Sequence, residues 1–310
     1  MFNKPMRKVV VCGASGMVGS SLVQLLHKKN CPLVIVGRNP KPLQQEFPFA
    51  VAYYSWEEFS ASPAEEIEVI VNLSGAGVTD KSWSDAYKQI MIDSRLNTTK
   101  ICVEICKQNP EIHLINASAV SAYGFYDDDH EAFSETDTDR RTGTCFLQEL
   151  IDQWEQATVP AVESGNPVTL LRIGTVFDRN GGGLPILATP FRYFLGGRFG
   201  KGNQIISWVS LRDLVAAIEF LLDHPDLNGP INLVSPGACS NRIAARSLGK
   251  ALNRPSFTPT PAFLIRAMMG QMGEELALKG QRVSPSKLLE AGFVFQDQDI
   301  EQCLREIYRC

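Results

Sequence analysis

Residues 8–29 read KVVVCGASGMVGSSLVQLLHKK, and the reading of this stretch decides the fold. The run VVVC is short, β-branched and polar only at its ends, as a strand buried on both faces requires. It passes into Gly13-Ala14-Ser15-Gly16-Met17-Val18-Gly19 and then directly into an apolar stretch of helical spacing. Gly13 permits the tight strand-to-helix turn, Gly16 lets the backbone approach a pyrophosphate, and Gly19 allows close helix–strand packing. The unpaired N–H groups of the helix then face the phosphates, aided by its dipole. Glycine patterns are common, but here a strand precedes, a helix follows, and a second strand ends roughly 20 residues on. That frame makes the pattern a dinucleotide-binding fingerprint.

Working outward, strands are expected at residues 32–37, 49–54, 68–73, 113–117 and 168–176, with helices near 20–29, 84–107 and 143–157. The alternation predicts an α/β fold of Rossmann type, a doubly wound parallel sheet with helices on both faces. The second strand ends in Gly37-Arg38-Asn39, where folds preferring NAD(H) place a carboxylate for the ribose 2′-hydroxyl. Arg38 is suited instead to a 2′-phosphate, so NADP(H) is expected over NAD(H). One charge-assisted bond of about 1.5–3 kcal/mol is enough for an order of magnitude in preference. The fourth strand runs out in Asn72-Leu73-Ser74-Gly75-Ala76-Gly77, and the fifth in Asn116-Ala117-Ser118-Ala119-Val120-Ser121-Ala122-Tyr123-Gly124. Small residues at strand carboxyl ends are expected to line one ligand crevice.

Past residue 177 the character changes. GGGL (181–184) and GGRFGKG (196–202) flank the apolar LPILATPFRYFL, a helix is expected at 211–222 and a strand at 230–234. NRPSFTPTPAF (253–263) reads as an extended link into a mostly helical remainder. The expected organisation is a dinucleotide domain over 1–178, with 205–235 returning to it. Residues 179–204 and 236–310 then form a smaller, mainly helical substrate lobe. Its candidate pocket residues are Arg192, Phe194, Phe199 and Trp208, with Arg198 and Lys201 as further cations.

The 310 residues carry 30 basic and 34 acidic side chains, a net charge of −4, so no basic face is expected to track a nucleic-acid backbone. The eight cysteines form no CxxC and no Cys/His cluster, which points to free thiols in a reducing cytosol and to no metal site. Nothing reaches transmembrane length. A cytoplasmic protein with a small-molecule partner, and neither nucleic acid nor membrane, is the expectation.

With these pieces in place, the sequence resembles the extended short-chain dehydrogenase/reductases. More narrowly, it resembles their atypical epimerase-like branch, which carries a C-terminal domain of unknown function. The motifs that carry the likeness are GASGMVG, VNLSGAGV, SRLNTT (94–99), SAVSAYG, FLQELIDQWE, RNGGGLP, ISWVSLRDLV (206–215) and GQRVSPSKLLEAGFVF. The resemblance implies a pyrophosphate loop of Gly13, Ser15, Gly16, Met17, Val18 and Gly19, with Arg38 selecting the adenosine ribose substituent. It implies a cofactor edge of Leu73, Ser74, Gly75 and Ala76, faced by Arg95 and Thr99 from the next helix and continued by Ala117 and Ser118. It also implies a structural Asp213, a nucleotide-sugar substrate class and a homodimer through the helices near 84–107 and 143–157.

Members of this group use a Ser or Thr after the fifth strand together with Tyr-x-x-x-Lys on the following helix. The tyrosine exchanges a proton with the substrate oxygen as hydride moves, and the lysine lowers its pKa and holds the ribose. None of the seven tyrosines here has a lysine four residues later. Aligned on Trp154-Glu155, the dyad positions hold Phe146 and Leu150, and a one-residue slip gives Leu147 and Ile151. The serine position falls on Ala119, with Ser118 one residue early.

Two readings follow. The first is an NADP(H)-dependent oxidoreductase or epimerase acting on a small carbonyl, hydroxyl or nucleotide-sugar compound. Tyr123 or Ser118 is then its catalytic proton donor, with Glu149 or Asp127 behind them; a packed role for Tyr123 is equally open. The second is a catalytically weak or inactive NADP(H)-binding regulatory or scaffold protein.

Overall fold

The chain runs β1 (Lys8–Cys12), α1 (Met17–Lys28), β2 (Leu33–Val36), α2 (Pro40–Glu46), β3 (Ala52–Tyr54), α3 (Trp56–Ser60), β4 (Ile67–Asn72), α4 (Asp85–Cys106) and β5 (His113–Ala119). A single turn at Val120–Tyr123 leads on to α5 (Phe146–Gln156), α6 (Val159–Glu163), β6 (Val168–Ile173), β7 (Thr175–Phe177) and α7 (Leu184–Arg192). Then come β8 (Ile205–Ile206), β9 (Trp208–Ser210), α8 (Leu211–Leu222), β10 (Gly229–Leu233) and β11 (Cys239–Ser240). Helices α9 (Asn241–Leu252), α10 (Ala262–Gly273), α11 (Ser286–Glu290) and α12 (Ile300–Tyr308) complete it. The structure is a computed structural model and describes residues 8–62, 64, 66–127, 129–137 and 145–309.

The main sheet has the order β10-β6-β5-β4-β1-β2-β3, with every neighbouring pair parallel. Strand alternation sorts the apolar residues to its two faces. Val9, Val11, Leu33, Ile35, Val69 and Val71 meet α1 and α8 in one core, whereas Val10, Cys12, Val34, Val36 and Ile70 meet α4 in another. Both faces are covered, which is why the strands read as continuous apolar runs. The strand order reverses between β1 and β4, so their carboxyl ends open a crevice at the place where such sheets bind ligands.

The strand expected over 168–176 is broken at Gly174. A Cβ there would lie 2.5 Å from the Ser207 carbonyl oxygen, so glycine lets a second backbone close in. Beyond it, Thr175 N donates to Ser207 O at 2.8 Å, and β7 pairs in parallel with β9 away from the main sheet. The helix expected over 143–157 begins at Phe146, with residues 143 and 144 outside the described residues.

A third core joins α7, α9 and α12 through Leu184, Phe191, Leu248 and Leu304 around Phe177 and Trp208. Trp208, expected to line a pocket, is instead fully buried, stacked on Phe177 at 5.4 Å and donating from Nε1 to Gly237 O at 2.8 Å. The C-terminal segment also reaches the main core, where Leu288, Phe293 and Phe295 pack with the β1 face. Asp213 is the latch: its carboxylate, buried in the first turn of α8, accepts from Gln296 N at 3.0 Å and Asp297 N at 2.8 Å. The sequence reading had it structural, and the structure identifies what it holds.

Candidate dinucleotide site

Gly13 follows β1 with φ +83°, a conformation that side-chain-bearing residues rarely adopt, and a Cβ on it would lie 3.0 Å from the Leu73 carbonyl. Gly19 is tighter, since its Cβ would lie 2.2 Å from Gly13 O and 2.9 Å from Ala14 Cα. Helix α1 starts from Gly16 with no side-chain cap and no acidic residue in its first turn, leaving orphan N–H groups for an anion. Ser15 and Gly16 are exposed, while Met17 and Val18 are half-buried. A Cβ on Gly181 would lie 2.5 Å from Met17 Sδ, so the 181–184 loop closes over this end of the crevice.

Arg38 stands exposed after β2, and among the described residues it has neither hydrogen bond nor ion pair. Its neighbour Asn39 caps α2 through Lys41 N at 3.2 Å, which sets the bend that presents Arg38. These features fit a dinucleotide: an uncapped helix N-terminus for the phosphates, two glycines that must be glycine, and an unpaired cation beyond the second strand.

At the fourth strand, Asn72 holds the edge in register. Its Oδ1 accepts from Ser74 N at 3.2 Å, and its Nδ2 donates to Asn116 Oδ1 at 2.8 Å and Thr99 Oγ1 at 3.2 Å. Trp154 Nε1 donates to the same Thr99 hydroxyl at 2.9 Å. Leu73, Ser74 and Ala76 are half-buried along this edge, and Gly75 is exposed. Behind it lies Arg95, buried against the Trp154 ring at 4.9 Å. Burial, with no carboxylate partner among the described residues, pushes its pKa down to about 10.

The fifth-strand edge holds an ion pair that the sequence reading did not assign. Ser118 Oγ donates to Glu155 Oε1 at 2.6 Å, and Arg172 donates to both oxygens of Glu155 at 2.9 Å. Ser118 and Arg172 are register partners on β5 and β6, so the strands present both to α5. Burial alone would lower the Arg172 pKa, but its hydrogen bonds to Glu155 and that group's charge raise it on balance. Glu155 was visible only as half of Trp154-Glu155, and nothing local in LLRIG marks Arg172 as its partner.

Tyr123 departs from the expectation of a catalytic proton donor. It is fully buried beneath Arg172, whose Cζ lies 4.8 Å from its ring, and its hydroxyl sits 2.9 Å from Asn232 Oδ1 and 3.0 Å from Ser134 O. Burial pushes its pKa up, and the hydroxyl has no exposed side to offer a substrate. Asp127 and Glu149 are exposed and have no part in these bonds.

Helix α5 carries an apolar wall. Ile151 packs with Ala117, Ala119, Ala122 and Leu73, whereas Phe146, Leu147 and Leu150 pack with Tyr87 and Met91 of α4. Ile151, with Trp154, is therefore turned toward the strand ends, while Phe146 and Leu147, the first positions of the two candidate registers, both lie against α4. Glu275 clamps the start of this helix, its carboxylate accepting from Phe146 N and Leu147 N at 3.0 Å each. That cap comes from a distant part of the chain and has no local sequence signal.

Residues 9–234 match the NAD dependent epimerase/dehydratase family, and residues 260–307 match a domain of unknown function (DUF1731). The chain belongs to the NAD-dependent epimerase/dehydratase family. An epimerase family protein of Mycobacterium leprae is 35% identical over 299 residues, spanning 96% of this chain and 94% of that protein. One from Staphylococcus haemolyticus is 32% identical over 308 residues, covering 97% and 99%. The crystal structure of human epimerase family protein SDR39U1 with NADPH superposes with a TM-score of 0.86 at 27% identity, covering 97% of this chain and 99% of that one. UDP-glucuronic acid 4-epimerase from Bacillus cereus, in complex with NAD, shares the fold with a TM-score of 0.73 at 18% identity, over 97% of each chain. Among the described residues no helix is long and apolar enough to cross a membrane, and no three His, Cys, Asp or Glu gather as a metal site.

Proposed function

We propose that this family member binds NADP(H) in preference to NAD(H) and uses it for hydride chemistry on a small carbonyl or hydroxyl compound, nucleotide sugars included. The observation that carries the cofactor choice is Arg38, exposed and unpaired at the end of β2 where no carboxylate stands. The NADPH in the human relative's structure supports it. When bound, NADP(H) supplies or accepts the hydride. The chain's own residues orient it: the α1 N-terminus takes the phosphates, the 73–76 edge supports the far half, and Ile151 keeps water from the reacting face. Proton exchange falls to Ser118, whose hydroxyl is tied to the Glu155 carboxylate at 2.6 Å, with Arg172 balancing the charge. We place the substrate under the lobe formed by 179–204 and 236–310.

The apolar face of α5 favours a second reading, a weakly active or inactive NADP(H)-binding regulatory protein. Calorimetry with NADPH and NADH tests the cofactor choice. NADPH should bind at least about tenfold tighter, and Arg38→Ala should erase the gap. Equal affinities in the unmodified protein sink it. A carbonyl and nucleotide-sugar panel, read by loss of reduced-cofactor absorbance, then separates the two functions. Turnover that Ser118→Ala abolishes supports the first, and no turnover with intact binding leaves the second.

A further inference from the structure

Charge is unevenly distributed along this chain. Residues 179–204 and 236–273, separated by β8, β9, α8 and β10, hold nine of the 30 basic side chains and none of the 34 acidic ones. The two stretches come together in the smaller lobe. Thr258 N donates to Gly196 O at 3.1 Å and Thr260 N to Arg198 O at 2.9 Å, which lays 258–260 beside 196–198. Arg242 Nη2 donates to Lys201 O at 3.0 Å, which ties the start of α9 to the same loop. The net charge of −4 averages over this segregation.

Two of these cations are neutralised, Lys250 by Glu301 and Arg266 by Glu274. Arg192, Arg198, Lys201, Arg242, Arg246 and Arg254 have no carboxylate partner among the described residues, and all but Arg198 are exposed. The same lobe carries large apolar side chains left open to solvent. Tyr193, Phe194, Leu195, Phe257, Phe263 and Met268 range from 57% exposed at Phe194 to 81% at Phe257. Arg192 and Phe194, expected to line a substrate pocket, therefore stand at the surface. Phe194 is held at φ +60°, which a bulky residue adopts only when its surroundings impose it, and Arg254 lies over its ring at 4.6 Å. With more than half of each side chain open, these residues project from the surface rather than line a groove.

We propose that this face docks on the surface of an anionic lipid bilayer. Projecting aromatic and long apolar side chains enter the headgroup layer, and the cations beside them are drawn to the negative surface potential. The absence of carboxylates favours lipid over an acidic protein. A protein partner reads charges pair by pair and tolerates an acid between contacts, whereas a smeared surface potential repels every acid on the face. Single-stranded nucleic acid stacks its bases along a groove, which projecting rings do not supply. A symmetric pairing of two copies would set like charges against like. Nothing in this docking depends on the dinucleotide.

Flotation of the full chain with vesicles tests it. The protein should float with vesicles of equimolar phosphatidylserine and phosphatidylcholine but not with phosphatidylcholine alone, and added salt should release it. Arg246→Glu combined with Arg254→Glu should weaken the association at least about tenfold, and Phe257→Ser combined with Phe263→Ser should do the same. Thermal melting checks the fold of each pair. Should a pair not fold, Arg246→Glu and Phe257→Ser singly carry the same expectation of weaker binding. Phe257→Trp should report insertion through an emission blue shift, on adding anionic vesicles, that the unmodified protein lacks. Equal flotation with both vesicles or with neither overturns the docking, as does anionic binding that both folded pairs leave unchanged. Association with poly-glutamate or polyuridylate but not with vesicles overturns the lipid assignment in favour of an acidic protein or a nucleic acid.

Discussion

Lowering the pH from about 7 to about 5 should remove about 2 kcal/mol of stability through one side chain, His113 at the start of β5. The ring is 2% exposed, and its Nε2 lies 2.8 Å from Thr169 Oγ1. Thr169 gives its own hydroxyl proton to Leu227 O at 2.9 Å, so toward the ring it can only accept. The network therefore assigns the proton to Nε2, leaving Nδ1 as a buried acceptor with no partner. A second proton would create a desolvated cation with an N–H that reaches nothing, and burial accordingly pushes the pKa down from 6.5 to about 4.

Because the folded value lies below the unfolded one, this contribution is present above pH 6.5 and is lost as pH falls toward 4. Between those limits the unfolded chain takes up a proton that the folded chain refuses, a loss of about 1.4 kcal/mol per pH unit that saturates near 3.4 kcal/mol. Urea unfolding of the protein and of His113→Gln at pH 7, 6 and 5 checks it, since the titrating carboxylates cancel in the difference. The stability gap between the two should shrink by about 2 kcal/mol over that range. A gap that stays constant would refute the buried neutral imidazole.

Gly19→Ala should abolish dinucleotide binding and destabilise the fold by about 1–3 kcal/mol, seen as a lowered melting temperature, because the new methyl meets Gly13 O at 2.2 Å. Glu155→Gln leaves Arg172 buried without its counter-charge and should cost about 3–5 kcal/mol in urea unfolding, against little effect from Ser118→Ala. Glu275→Ala removes the cap on α5 and should cost about 0.5–2 kcal/mol, with exchange of the Phe146 and Leu147 amides accelerating selectively. The homodimer implied by the resemblance would form on a face where Gln89, Asp93 and Lys100 of α4 and Glu149 and Gln153 of α5 are exposed. On these two helices Ile90 is the large apolar residue left exposed among the described residues. So polar a face buries little apolar area, and sedimentation at micromolar concentration should show a monomer.

Local spacing made the central sheet, the glycine loop and helix α8 legible in the sequence. A β-branched run between turn residues, or an apolar period of 3.6, reports its own geometry. Helix α8 begins and ends where its periodicity says it should, at 211 and 222. The break at Gly174 was not legible, because its cause is a carbonyl 33 residues on, at Ser207. The partners of each face of α5 were not legible either, since only packing turned Ile151 toward Ala119 and Leu150 toward Met91. Tyr123 could be read as a proton donor only while its acceptors, 11 and 109 residues away, were out of view.

The sequence by itself determined that the chain folds around a dinucleotide crevice and that it contains no Tyr-x-x-x-Lys motif. Only the tertiary structure decided which charges are met and which are not. Among the described residues Arg172 found a carboxylate and Arg95 did not, because the strength of an electrostatic interaction depends on burial and distance, and neither is a property of spacing along the chain.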